Sequence, residues 1–189
     1  MSSKLLKVFI VALVFGLASI AARAETPPAP PADGASDQGK PVFMSADWAK
    51  QACGAWNADP VLTGELAKSG WVENDGKRGF KVMQIYRTDC PNSPRVEMRV
   101  AKKDGKAMCV YGGKVETQKL DSGMDYIMHA ETGRWGEMGR DEYGPMKAMM
   151  FGRLKFDGPM MEAMGNMGPF KNFLLLTGKV AASTTSCPN

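Results

Sequence analysis

One histidine, four cysteines and 15 methionines are the side chains through which this sequence could do chemistry. His129 is the sole imidazole, and a general base needs a positioned partner, yet no Ser or Cys motif stands beside it. The chain contains no G-x-S-x-G, no P-loop, no H-E-x-x-H and no G-x-G-x-x-G after a strand. Gly112-Gly113 reads as a turn without a following helix, so a phosphate cradle is not expected there. Asp141-Glu142 reads as a helix N-terminus, where carboxylates favour the dipole. The expectation is a non-catalytic protein with no cofactor.

Cys53, Cys90, Cys109 and Cys187 show no C-x-x-C spacing, which argues against a thioredoxin-type pair or a zinc cluster. An even count suits disulfides, with three connectivities open. Cys90 and Cys109 flank an expected hairpin and are the first choice, leaving Cys53 with Cys187.

The methionines concentrate in Tyr143–Val180. Met146, Met149, Met150, Met160, Met161, Met164 and Met167 stand where a rigid core would use Leu, Ile and Val. Phe151, Phe156, Phe170 and Phe173 fill in between, with Leu154 and Leu174 beside them. Unbranched thioethers adapt to many shapes, so this run reads as the wall of a pocket for a flexible apolar ligand, against the alternative of ordinary core. Thioethers also prefer Cu(I), and Met161, Met164 and Met167 share a helical spacing. They sit among Phe and Leu and are expected to be buried, which disfavours copper.

The elements that must position these residues follow from period and punctuation. Ser45 caps a first helix with Asp47 in its first turn, and Trp48, Ala52 and Trp56 make one apolar stripe. Asp59-Pro60 starts a short helix, Pro60–Lys68, that Gly70 stops. Phe80–Arg87 alternates with both sets partly apolar, so a strand covered on one face and partly wet on the other is expected. Val96–Ala101, Ala107–Tyr111 and Met124–Ala130 follow as strands, with a turn at Asp104-Gly105. Trp71–Glu73 is expected to pair back through Asn74-Asp75-Gly76, giving a mostly antiparallel meander to Ala130. Thr132 and Asp141 are expected helix caps, Arg153–Phe156 a short strand, Pro159–Asn166 a helix, and Gly168-Pro169 a break before a last helix, Phe170–Leu176.

The N-terminus carries Lys4 and Lys7, an apolar run Val8–Ile20 and then Ala22-Arg23-Ala24, the pattern of a secretory signal peptide cleaved after Ala24. Residues 25–41 are rich in Pro and Ala and read as a disordered linker; residues 42–189 form one domain. The formal charge falls from +4 to +1 because Lys4, Lys7 and Arg23 leave with the signal. A near-neutral chain without basic runs argues against nucleic-acid binding. Export and four cysteines place the protein in the periplasm.

The last third resembles the sterol carrier protein 2 (SCP2) sterol-binding family. The residues that carry this are Ala148–Phe151, the strand Gly152-Arg153-Leu154-Lys155-Phe156-Asp157-Gly158 and the apolar stretch Pro159–Met167, preceded by DYIMHAETGRW at 125–135. The resemblance implies an α+β fold, a five-stranded mostly antiparallel sheet with helices on one face and an apolar tunnel between them. It implies non-catalytic binding, and transfer, of a sterol, fatty acyl or other hydrophobic ligand, with the methionines and phenylalanines above as the wall and the C-terminal helix as lid. Arg134, Arg140 and Arg153 would meet an acidic head. Expected partners are a hydrophobic small molecule or lipid and a transient membrane contact. The alternatives are a structural accessory of a membrane-associated complex, or periplasmic Cu(I) binding.

Overall fold

The computed structural model describes residues 39–92 and 94–189. The expected signal peptide, and the linker up to residue 38, lie outside them. Pro41 already joins the fold, since its carbonyl accepts a hydrogen bond from Ser183 N at 2.9 Å.

Helix α1 (Ala46–Asn57) begins where Ser45 Oγ accepts from Trp48 N at 3.2 Å. Its stripe of Trp48, Ala49, Ala52, Cys53 and Trp56 is buried. A π-helical turn (Val61–Glu65) runs directly into α2 (Leu66–Lys68), and the chain leaves through Gly70 at φ 76°. Asp59 Oδ1 opens this segment by accepting from Val61 N and Leu62 N. Trp71–Glu73 is a single 3-10 turn rather than the expected strand. Its Trp71 and Val72 side chains go into the core instead of alternating.

The sheet holds five strands, β1 (Lys81–Arg87), β2 (Arg95–Lys103), β3 (Lys106–Lys114), β4 (Tyr126–Ala130) and β5 (Lys155–Asp157), in the order β3-β2-β1-β4-β5. Pairings β1–β2, β2–β3 and β4–β5 are antiparallel; β4 lies parallel to β1, with Met83 opposite Tyr126. The continuous meander expected from the sequence is therefore interrupted. After β3 the chain crosses residues 115–125 over the sheet to the far side of β1. Buried carboxylates catch this crossing. Glu97 accepts from Thr117 N at 2.9 Å, and Asp125 accepts from Val82 N at 3.0 Å, fixing the start of β4 beside the start of β1. The crossing covers the face expected to be partly wet, so Val82 and Gln84 are buried as well as Met83 and Ile85.

Helix α3 (Thr132–Gly139) follows β4, α4 (Pro145–Met150) precedes β5, and α5 (Met160–Gly165) and α6 (Met167–Lys179) close the chain. Gly168-Pro169 does not break the last helix. It lies in the first turn of α6, where a missing N–H loses no partner. The buried helix residues, including Trp48, Trp135 and Leu174, form one core with the inner-face residues Ile85, Met98 and Met128.

Two close approaches need glycine. Gly112, expected in a turn, lies within β3 under α1, and a Cβ there would fall 2.2 Å from Ala49 O. A Cβ on Gly178 of α6 would fall 2.3 Å from Gly139 O of α3. The disulfides are Cys53–Cys109 and Cys90–Cys187, which corrects the expected pairing. The close seat of α1 on β3 puts the Cα atoms of Cys53 and Cys109 5.3 Å apart. Cys90, past the end of β1, meets the C-terminal tail that Arg87 holds through Ser186 O at 2.8 Å.

Candidate functional site

The sheet and the helices leave an apolar gap between them. Its wall is Trp56 from α1, Leu62 and Leu66, Trp71, Met83 from β1, Tyr126 and Met128 from β4, Ala163 from α5, and Asn166, Pro169, Phe170 and Phe173 at and within α6. Rings run round it in contact: Trp56 to Trp71 and to Phe173, each 6.2 Å between centroids, Trp71 to Tyr126 at 5.8 Å, and Tyr126 to Phe156 at 5.3 Å. The cavity measures about 30 Å³. That is room for roughly one water molecule, about a tenth of the smallest ordinary ligand pocket. The interior is a gap that ring side chains have closed upon.

One end of this wall is polar. The Lys81 side chain has no exposure and forms an ion pair with Glu162 of α5. Its ammonium lies 4.5 Å from the Trp71 ring centre and 5.1 Å from that of Tyr126, where the ring faces favour a cation. Glu162 also accepts from the Tyr126 hydroxyl, and its second oxygen accepts from Asn74 Nδ2 at 2.7 Å. Trp71 Nε1 donates to the Tyr126 hydroxyl at 2.8 Å and fixes its direction. Burial pushes Lys81 below the ordinary lysine range, and the hydrogen bond and charge of Glu162 offset part of that. Burial, with the adjacent Glu162 carboxylate, pushes Tyr126 far above the phenol range, so it stays a neutral donor.

The side chains expected to form a pocket wall separate into three groups. Phe170 and Phe173 line the cavity. Leu154 and Leu174 are fully buried, and Met149, Phe156 and Met167 pack partly buried against the same core. Met146, Met150, Phe151, Met160, Met161 and Met164 are exposed, Met161 to 84% and Met150 to 71%. The methionine run faces outward because α4 and α5 are six residues each and bury only Pro145 and Ala148, or Ala163 alone. The burial expected for Met161 and Met164 is not observed. Apart from Ala163 and the α6 residues, the wall is drawn from α1, the turns after it and the strands β1 and β4. The stripe of Trp56, and the alternation that puts Lys81 on one face with Met83 and Ile85, were the available signals for it.

The expected arginines stand elsewhere. Arg134 pairs with Glu137, Arg140 with Glu142, and Arg153 lies 4.5 Å over the Tyr143 ring. Arg134 and Arg153 border a separate, open cleft with His129, Phe151 and Lys155. His129 stacks on Tyr86 at 4.6 Å, and burial pushes it below the usual imidazole range. Among the described residues no cluster of His, Cys, Asp and Glu has metal-site geometry, and no helix is long and apolar enough to cross a membrane.

Residues 79–171 match the sequence model of the SCP-2 sterol transfer family. No curated protein sequence matches the chain. Among solved structures, a crystal structure of sterol carrier protein 2 is 15% identical, covers 74% of this chain and 99% of its own, and superposes with a TM-score of 0.49. The solution structure of a conserved hypothetical protein from Thermus thermophilus is 16% identical, with coverages of 78% and 95% and a TM-score of 0.46. That of the sterol carrier protein domain 2 of Helicoverpa armigera is 18% identical, with coverages of 75% and 93% and a TM-score of 0.39. The family match rests on the sequence, and the α+β architecture on the elements described above. The matched span includes Lys81, Tyr126 and Glu162.

Proposed function

We propose, from the match of residues 79–171 to the SCP-2 sterol transfer family, that this chain binds a hydrophobic lipid, an acyl chain or a sterol, between its sheet and α5–α6. The supporting observation is the convergence of Trp56, Trp71, Met83, Met128, Phe170 and Phe173 on one interior gap. Binding requires that gap to widen, with α5 and the Phe170–Phe173 face of α6 moving off the sheet. A dozen buried methylenes contribute about 10 kcal/mol at ~0.8 kcal/mol each. Association and ordering take back at least about 4 kcal/mol, so twelve methylenes alone leave an affinity on the order of 100 micromolar, and each further methylene tightens it. No bond of the ligand is made or broken; the protein holds its ligand and releases it.

The working place is the cell envelope. Two disulfides are compatible with an oxidising compartment outside the cytosol, and the leader read from residues 1–24 points to the periplasm. Exposed Met150, Phe151 and Met161 offer apolar contacts for a transient meeting with a membrane, where such a ligand is collected or delivered.

Native mass spectrometry of the exported protein, followed by organic extraction, tests the reading. The expected result is a near-stoichiometric lipid adduct. The small cavity favours a second reading, in which the fold serves as an accessory protein of a membrane complex and presents only its surface. A protein that stays empty and takes up neither fatty acid nor sterol, yet retains a membrane complex, decides for that second reading.

A further inference from the structure

We propose that Lys81 anchors the acidic head of the ligand, a single carboxylate on a long alkyl chain, and that Glu162 of α5 occupies this position until the ligand displaces it. The inference rests on the lipid-binding reading above and names the ligand class. The structure already contains a carboxylate receptor. Lys81 Nζ and the Tyr126 hydroxyl both donate to one oxygen of Glu162, and Asn74 Nδ2 donates to the other. Trp71 orients the tyrosine from behind. Four of the same elements also line the apolar cavity, through Met83 of β1, Trp71, Tyr126 and Ala163, the residue next to Glu162. A carboxylate held by Lys81 would therefore have the cavity directly before it for its chain.

The occupant is built to leave and the receptor to stay. Lys81 is in the central strand β1, with no side-chain exposure. Glu162 sits 18% exposed on a six-residue helix that buries only Ala163 and has no side-chain cap at its N-terminus. Moving α5 outward releases Glu162 into water, where a carboxylate is stable alone, and widens the gap that is otherwise too small for a chain. Lys81 cannot follow, and a buried unpaired ammonium is costly, so the incoming head must bring a negative charge. A sterol hydroxyl brings none. Nearby Asp125 and Asp75 already place negative charge around Lys81, which favours one added charge over the two of a phosphate monoester.

The test measures binding of hexadecanoic acid and hexadecanol by the fluorescence of Trp56 and Trp71, which face the gap. Wild-type protein is compared with Glu162→Gln and Lys81→Met. The expected result is that Glu162→Gln tightens the acid by about tenfold, the worth of one charge-assisted hydrogen bond, and leaves the alcohol within about twofold. Lys81→Met should erase the difference between acid and alcohol. Should Lys81→Met fail to fold, Glu162→Gln decides by itself, because it removes the resident carboxylate while keeping a hydrogen-bonding group of the same shape. Acid and alcohol changing together in Glu162→Gln would overturn the anchor while leaving lipid binding intact. Folded wild type that binds neither would overturn lipid binding, and the anchor with it.

Discussion

Asp125 and Glu97 have side chains with no exposure, and each is ringed by donors. Burial alone would raise both carboxyls. For Asp125 the Arg78 guanidinium and the N–H groups of Asp121 and Val82 outweigh it; for Glu97 Thr117, Arg99 and Gln84 do so, and both end below the ordinary range. A carboxyl depressed in the folded state binds its proton more readily when unfolded. The stability it contributes is complete above the unfolded value of ~4 and drains as pH falls through the folded one. Thermal unfolding measured from pH 7 down to 2 should show a small decline below about pH 6.5, where the unfolded chain protonates His129 before the folded one does, and a steeper drop below about pH 5 as the carboxylates take up protons. Asp125→Asn leaves Arg78 without its counter-charge and should cost about 3 kcal/mol at pH 7. The variant's curve should also be shallower in acid than wild type; parallel curves would show that Asp125 is not one of the groups being titrated. Lys81 carries the opposite sign. It shares a strand face with Met83 and Ile85, and that alternation was legible, but whether its face would be dry depended on Trp71, Tyr126 and Glu162 arriving from distant sequence.

The elements that read most clearly were those whose signals are local. Ser45 and Asp59 mark their boundaries with side chains that act within three residues, and Gly70 marks its own with a left-handed backbone. The strands β1, β2 and β3 were legible from alternation for the same reason. The parallel seat of β4 was not, because Asp125 reaches back 43 residues to Val82 to set it. The methionine run was legible as apolar but not as exposed: helical spacing places Met160 and Met164 on one face, and says nothing about whether a neighbour covers that face. Gly112 shows the same boundary. Read as half of a turn, it is the point where α1 rests on β3, and its hydrogen is the only substituent that fits beneath Ala49 O. Gly112→Ala must push helix and sheet apart against a Cys53–Cys109 bond that holds them together. The expected cost is about 1–3 kcal/mol in denaturant unfolding. Gly54→Ala on the same helix, where a Cβ meets nothing within 4 Å, serves as the control and should be neutral or slightly stabilising. Equal effects at the two positions would mean that the close approach does not govern the packing.

At the scale of the whole molecule, two disulfides join parts of the chain that the sheet topology separates. Cys53–Cys109 closes 56 residues and fastens the first helix to the edge strand β3. Cys90–Cys187 closes 97 residues and fastens the tail beside the end of the central strand β1. The tail in turn carries Ser183, which bonds to Pro41 and Phe43 and so holds the first described residues. Neither bond joins α5 or α6, the pair whose movement the lipid-binding proposal requires. Chain connectivity could not reveal this pairing, because Cys90 and Cys109 are near in sequence while β1 and β3 are separated by β2. Two consequences are measurable. Peptide mapping without reductant should recover Cys53 linked to Cys109 and Cys90 linked to Cys187; a Cys90–Cys109 peptide would refute the register of β3 under α1. Replacing each pair by serine should lower stability by about 2–4 kcal/mol, through the unfolded chain's regained freedom. Loss of the Cys90–Cys187 bond should leave lipid uptake by the folded protein within about twofold, since every residue that lines the gap lies outside the tail. A large change in uptake would show that the tail, and not α5, controls entry.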